Sequence, residues 1–344
     1  MPYASKIKKT IKNLEKLSEN QDIDFKEEIS SLESKLQQLQ KRRSGELEDV
    51  KKHHTPWERV KIARMLERPK PQDYISHIIK DFIEFHGDRN FGDDTAIIGG
   101  VGYLDDLPVT CIATRRGKEI NENIRSNFGM PHPEGYRKAL RLAKQAEKFN
   151  RPVIFFVDTP GAYPGIGSEE RGISEAIARN LYEFSDLLVP TLTIITGEGG
   201  SGGALGLGVS NRIYMMQNAV LSVISPEGCA SILFKDSSKA PKAAESLRLT
   251  AFDLYELGII DKVIEENDDF DEKPDKTFKR LGKILFKDLT ELMLIDKEKL
   301  ARQRYNKYRN IGFFDTGTPL QSASIPTGKS NTFMSQVARF LGIK

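Results

Sequence analysis

Along residues 1–70 the apolar positions recur at helical spacing. Ile7, Ile11 and Leu14 form one short stripe, a polar stretch runs from Ser18 to Asp24, and Phe25, Ile29, Leu32, Leu36 and Leu39 come next in steps of 4, 3, 4 and 3. That spacing is a heptad seam of about two and a half repeats, too short for a stable free coiled coil. Asp24, with Glu27 three residues on, has the form of a capping box and starts the second helix. The pattern predicts a helical hairpin that docks either on its own chain or on a partner subunit. Thr55-Pro56-Trp57-Glu58 is a further helix start, with Thr as cap and Pro in the first turn.

From Thr95 the period changes. Ala96 to Leu104 and Pro108 to Thr114 flank Asp105-Asp106 and predict a hairpin; Pro133 to Asn150 is an amphipathic helix with Leu140, Ala143 and Ala146 on one face. The run Val153 to Val157 is apolar throughout, as a strand covered on both faces would be. Next come a helix over Ser168 to Ser185 and strands at Thr191 to Thr196, Arg212 to Met216, Val220 to Ile224 and Ile259 to Val263. Ser225-Pro226-Glu227 opens a helix and Gly258 closes another. Residues 265–275 hold seven acids and one lysine and read as a solvated loop; Lys276 to Asn310 reads as helix. The order of elements gives an α/β fold with some paired strands between helices rather than strict alternation.

Composition narrows the function. Across 344 residues, 52 Lys and Arg stand against 49 Asp and Glu, a net charge of +3 that carries no nucleic-acid signature. No apolar run is long enough to span a membrane, and MPYASKIKKT lacks the core of a signal peptide. Cys111 and Cys229 are the only cysteines, and all five histidines lie at or before His132. We therefore expect a protein of a reducing, cytoplasmic compartment with no metal site. The charge is uneven: residues 111–150 hold nine Lys or Arg (Arg115, Arg116, Lys118, Arg125, Arg137, Lys138, Arg141, Lys144, Lys148) against four Glu. Such a stretch is either a solvated helix face or a patch for an anionic ligand such as CoA phosphates or an acidic carrier protein.

Two glycine-rich segments each come after a strand and precede a helix: Asp158-Thr159-Pro160-Gly161-Ala162-Tyr163-Pro164-Gly165, and Gly197-Glu198-Gly199-Gly200-Ser201-Gly202-Gly203-Ala204. At such junctions free N–H groups face out with the positive end of the helix dipole behind them, which suits a phosphate or a developing oxyanion. Simple tight turns are the alternative. Gly197-x-Gly199-x-x-Gly202 fits a dinucleotide fingerprint, but Asn211 to Pro226 lacks an acid for the ribose until Glu227. Gly199-x-Ser201-x-Gly203 fits a nucleophile elbow, but every histidine precedes Ser201. The remaining candidate is a backbone site able to stabilise an enolate or similar oxyanion. A lone hydratase or isomerase of this type would need a carboxylate beside the site, and Glu198 is the one acid within the second loop.

The motifs resemble the carboxyltransferase alpha subunit of bacterial acetyl-CoA carboxylase. They are Asn127-Phe128-Gly129-Met130, Pro133 to Leu142, DTPGAYPG at 158–165, Glu169-Glu170-Arg171-Gly172, GEGGSGGALGLG at 197–208 and Ser225 to Leu233, with HGDRNFGDD at 86–94, and the likeness runs over roughly residues 5 to 313. The resemblance implies a crotonase-like (ClpP/crotonase) fold, a spiral of ββα turns, behind the N-terminal helical hairpin. It implies the second half-reaction of the carboxylase: transfer of a carboxyl group from carboxybiotin on the biotin carboxyl carrier protein to acetyl-CoA, giving malonyl-CoA for fatty-acid synthesis. It also implies an alpha2-beta2 assembly with a zinc-ribbon beta subunit, in concert with biotin carboxylase, so that metal and part of the site lie on the partner. Carried over by motif, Gly202 and Gly203 supply a backbone oxyanion hole, with Gly161, Ala162, Gly199, Gly200 and Ala204 as substrate-binding positions. The expected layout is a helical docking region at 1–70, the carboxyltransferase domain at 71–264, the acidic loop and C-terminal helix at 265–314, and a disordered tail at 315–344.

Overall fold

The computed structural model describes residues 54–312, save 268, 269 and 272; the heptad seam and the tail beyond 315 lie outside them. A first helix, α1 (Pro56–Arg64), starts where the cap predicts: the Glu58 N–H donates to Thr55 Oγ1, and the Glu58 carboxylate accepts from the Thr55 N–H at 2.7 Å. Val60 and Ala63 of this helix are buried with Val220, Ala244 and Leu249. Helix α2 (Pro71–Ile78) leads into β1 (Lys80–Glu84), β2 (Ile97–Leu104) and β3 (Leu107–Thr114). These three strands are antiparallel; β2 and β3 turn at Asp105, where φ is +53°.

After α3 (Ile120–Arg125) and α4 (Pro133–Lys148) the sheet becomes parallel. Strand β4 (Val153–Thr159) is buried at every position, as its unbroken apolar run requires. The helix expected over 168–185 is two, α5 (Ile166–Glu170) and α6 (Ile173–Ser185), separated at Gly172, whose φ of +80° breaks the helical path. Strand β5 (Thr191–Gly200) extends four residues beyond its predicted end and passes directly into α7 (Ser201–Gly208). Then come β6 (Arg212–Met216), β7 (Val220–Ser222), α8 (Pro226–Phe234), α9 (Ala240–Leu247), α10 (Ala251–Glu256), β8 (Lys262–Ile264), α11 (Asp275–Met293) and α12 (Lys297–Arg309). The strand order is β1-β2-β3-β4-β5-β6-β8, with β7 paired to the end of β5. Helices α4, α6 and α7 pack on one another, and α7 contacts β4 and β5.

The acidic segment is not simply a solvated loop. The Glu266 side chain is buried in a bidentate pair with Arg68 at 2.6 and 2.9 Å, and Phe270 is also buried. A buried guanidinium needs a carboxylate more than an acid-rich segment needs water.

Candidate functional site

Strands β4 and β5 lie side by side and parallel, so their C-terminal ends deliver both glycine-rich loops to the same edge of the sheet. Thr159 shapes the first loop: its hydroxyl donates to Gly161 O at 2.8 Å and accepts from the Gly161 N–H at 3.1 Å. The second loop is pressed against the first. A Cβ on Gly203 would lie 2.6 Å from Ala162 N and 2.7 Å from Gly161 Cα, and one on Gly200 would run into Pro160 O. Glycine is required at both because backbone meets backbone there.

Helix α7 begins at Ser201 in the left-handed conformation, φ +47°, with an exposed side chain. Tyr136 donates its hydroxyl to Gly203 O, and the Asn180 amide donates to Tyr136 O and Gly206 O, both at 3.0 Å, fixing α7 to its neighbours. Among the described residues, no side chain and no backbone carbonyl of another element accepts from the N–H groups of Ser201, Gly202, Gly203 or Ala162. A Cβ on Gly202 would meet only Ile177, at 3.8 Å, and one on Gly161 would meet nothing within 4 Å. Beside the second loop a cavity of about 70 Å³ opens between Arg64, Glu198, Gly200, Ser201 and Ser225.

Of the residues singled out from sequence, Gly161, Ala162, Gly200, Gly202 and Gly203 come together. Gly199, packed on Leu221, lines the same small cavity as Gly200 and Ser201, and Ala204 is buried within α7. Among the described residues no histidine is hydrogen-bonded to Ser201. Glu198 is held by Arg64 at 2.7 Å and Arg116 at 2.8 Å, so it is not the free carboxylate a lone hydratase needs.

Six of the nine cations in the basic stretch at 111–150 pair with carboxylates of the fold. Arg115 pairs with Glu84, Arg116 with Asp158 and Glu198, Lys118 with Asp73, Arg137 with Asp88, Lys138 with Asp93 and Lys144 with Glu183. These cations are legible in the sequence as a charge excess; their carboxylates, scattered from residue 73 to 198, are not. Arg64 and Arg68, which reach the second loop from α1 and the segment after it, carry no sequence signal at all.

The mixed sheet with helices on its turns, and two amide-bearing loops at adjacent strand ends, define a crotonase-like fold of the carboxyltransferase kind. It superposes on the transcarboxylase 12S core with methylmalonyl-coenzyme A bound (TM-score 0.52, 22% identity, 63% of this chain), of which it spans 41%. It also superposes on a chain of a Pseudomonas malonate decarboxylase hetero-tetramer (TM-score 0.52, 17% identity, 64% of this chain and 89% of that one). A family model described as "Acetyl co-enzyme A carboxylase carboxyltransferase-like" matches residues 3–312. Acetyl-coenzyme A carboxylase carboxyl transferase subunit alpha of Oceanobacillus iheyensis is 54% identical over 309 residues, covering 90% of this chain and 95% of that protein. The alpha subunit of Listeria monocytogenes serotype 4b is 51% identical over 315 residues, covering 90% and 96%. The chain belongs to the acetyl-CoA carboxylase carboxyltransferase family, aligning with its alpha subunits.

Proposed function

We propose that this chain supplies one half of the site at which a carboxyl group passes from carboxybiotin, presented by the biotin carboxyl carrier protein, to acetyl-CoA, forming malonyl-CoA in the cytoplasm. The observation that carries the reading is the contact of Gly203 with Gly161-Ala162, which sets the first loop against the first turn of α7, whose amides meet no protein acceptor among the described residues. Gly202 and Gly203 donate their N–H groups to the biotin ureido oxygen as negative charge builds on it, backed by the helix dipole. Gly161, Ala162, Gly199 and Gly200 shape the walls of the site, and the buried Ala204 anchors the first turn of α7. When bound, carboxybiotin supplies the carboxyl group and, once it has released it, the base for the methyl proton of acetyl-CoA.

The thioester enolate is held by the beta subunit's own amide hole, as the family membership implies. Exposed apolar side chains on the three successive helices α5, α6 and α7 suit such a partner: Ile166, Tyr182 and Leu205 are 77%, 73% and 48% exposed. An alpha2-beta2 assembly, with a zinc ribbon on the beta subunit and biotin carboxylase acting earlier, completes the reading. Among the described residues no helix is long and apolar enough to cross a membrane. The test is turnover of the reconstituted complex: with a beta subunit, malonyl-CoA and biocytin give acetyl-CoA and carboxybiocytin, and the chain alone does not. A well-formed complex without turnover would refute it.

A further inference from the structure

The register of β4 with β5 runs in step to Val157↔Ile195 and resumes at Thr159↔Gly199, two steps along β4 against four along β5. Strand β5 therefore bulges over residues 196–198, immediately before the loop that carries the amides. A bulge takes backbone groups out of the ladder and re-aims the residues after it. Here those groups are taken up by charged side chains. Thr196 O accepts from Arg68 Nε at 3.1 Å and Nη2 at 3.0 Å, and the Glu198 N–H donates to Asp158 Oδ1 at 2.9 Å. Gly197 makes the second bond possible, since a Cβ there would stand 2.6 Å from Asp158 Cγ.

Asp158 thus stands in for a ladder acceptor, but its carboxylate is almost wholly buried, and a buried charge needs a partner. Arg116 is that partner. One nitrogen, Nη1, lies 2.9 Å from Asp158 Oδ1 and 2.8 Å from Glu198 Oε2, joining one residue of each glycine-rich segment. Burial opposes the charge on Arg116, yet Asp158 and Glu198 outweigh it and hold the guanidinium above its ordinary pKa. On the outer side Arg64 continues the chain of charges from Glu198 to Glu227 in the first turn of α8.

We propose that Arg116 is a positioning residue for carboxyl transfer: by binding Asp158 and Glu198 at once it holds the β5 bulge against β4, and so sets the Gly202 and Gly203 amides relative to Gly161-Ala162. The proposal rests on the assignment of those amides to the biotin oxygen. Without the cation two buried carboxylates face each other, the bulge lifts from β4, and the donors shift by a fraction of an ångström, which acts on the transition state more than on substrate binding. Because a single nitrogen does the bridging, a lysine ammonium can replace it, whereas an isosteric apolar chain cannot.

The test uses the full chain in its complex with the beta subunit, in the malonyl-CoA and biocytin assay. Arg116→Met is expected to lower kcat by about 10- to 100-fold with KM for malonyl-CoA within about threefold. Arg116→Lys should stay within about fivefold of the parent, because it keeps the bridging charge. Arg116→Met combined with Asp158→Asn removes the stranded carboxylate while keeping an acceptor for the Glu198 N–H, and should recover at least part of the kcat lost by Arg116→Met. If Arg116→Met does not fold, Arg116→Lys and the double variant carry the test. Full activity of Arg116→Met, equal losses in Met and Lys, or a double variant no better than Arg116→Met would overturn the proposal. Gly203→Ala in the same assay separates the two ideas. If it loses activity while Arg116→Met does not, only the clamp fails; if it stays active, the amide reading fails.

Discussion

Gly203→Ala tests the site with one methyl group. The added carbon would stand 2.6 Å from Ala162 N and 2.7 Å from Gly161 Cα, whereas an ordinary contact needs about 3.5 Å. Both neighbours are backbone, so no side-chain rotation relieves the clash and the two loops must part by roughly 1 Å. A shift of that size in a reacting group costs about 100-fold, and loss of an oxyanion donor about 100- to 1,000-fold, or about 2.7–4 kcal/mol in the barrier. The expected result is therefore a kcat at least about 100-fold lower, with the beta subunit still bound on size-exclusion chromatography. Gly208→Ala is the control: it lies in the same helix, its Cβ would meet nothing within 4 Å, and it should leave turnover unchanged and the melting temperature equal or slightly higher. Gly203→Ala within threefold of the parent, in an intact complex, would refute the assignment of these amides.

Three further outcomes are expected from the same geometry. Arg68→Met strands the buried Glu266 carboxylate and should cost about 3–5 kcal/mol in urea unfolding, and adding Glu266→Gln should recover part of it; a loss under 1 kcal/mol would show the pair is not buried as described. Burial pushes the Asp94 carboxyl up to about 6, so between about pH 4 and 6 the folded chain holds a proton that the unfolded chain releases. Its contribution to stability is greatest below about pH 4 and falls as pH rises to 6; a stability difference between the parent and Asp94→Asn that stays flat over that range would contradict this. Ser201 is left-handed, so Ser201→Val should destabilise by about 1–2 kcal/mol while Ser201→Gly should not, and equal melting temperatures for the two would argue against that backbone.

Local signals carry much of this molecule. The Thr55 cap, the Asp105 turn, the apolar run from Val153 and the glycine-rich motifs each depend on neighbours a few residues away, and each stands where its pattern places it. Gly172 is in view within a motif, yet its power to split a helix in two depends on a left-handed φ that composition does not reveal. The length of β5 is hidden for a related reason: residues 197–200 look like loop, and they are strand because β7 pairs with Glu198 to Gly200 and Thr159 of β4 pairs with Gly199. The basic excess at 111–150 can be counted from the sequence but its destination cannot, since an arginine's partner is chosen by folding and not by spacing.

By itself the sequence determined the α/β class, the two strand-to-helix junctions rich in glycine and, through long motifs, the family. Tertiary structure alone decided that the two junctions touch, that Gly203 is glycine because Gly161-Ala162 occupies the space of its side chain, and that a bulge in β5 is held by Arg68, Asp158 and Arg116. The reason is physical. Helix caps and strand patterns are short-range energies summed along the chain, whereas a backbone contact or a shared buried charge joins residues 40 to 130 positions apart and has no periodicity to betray it.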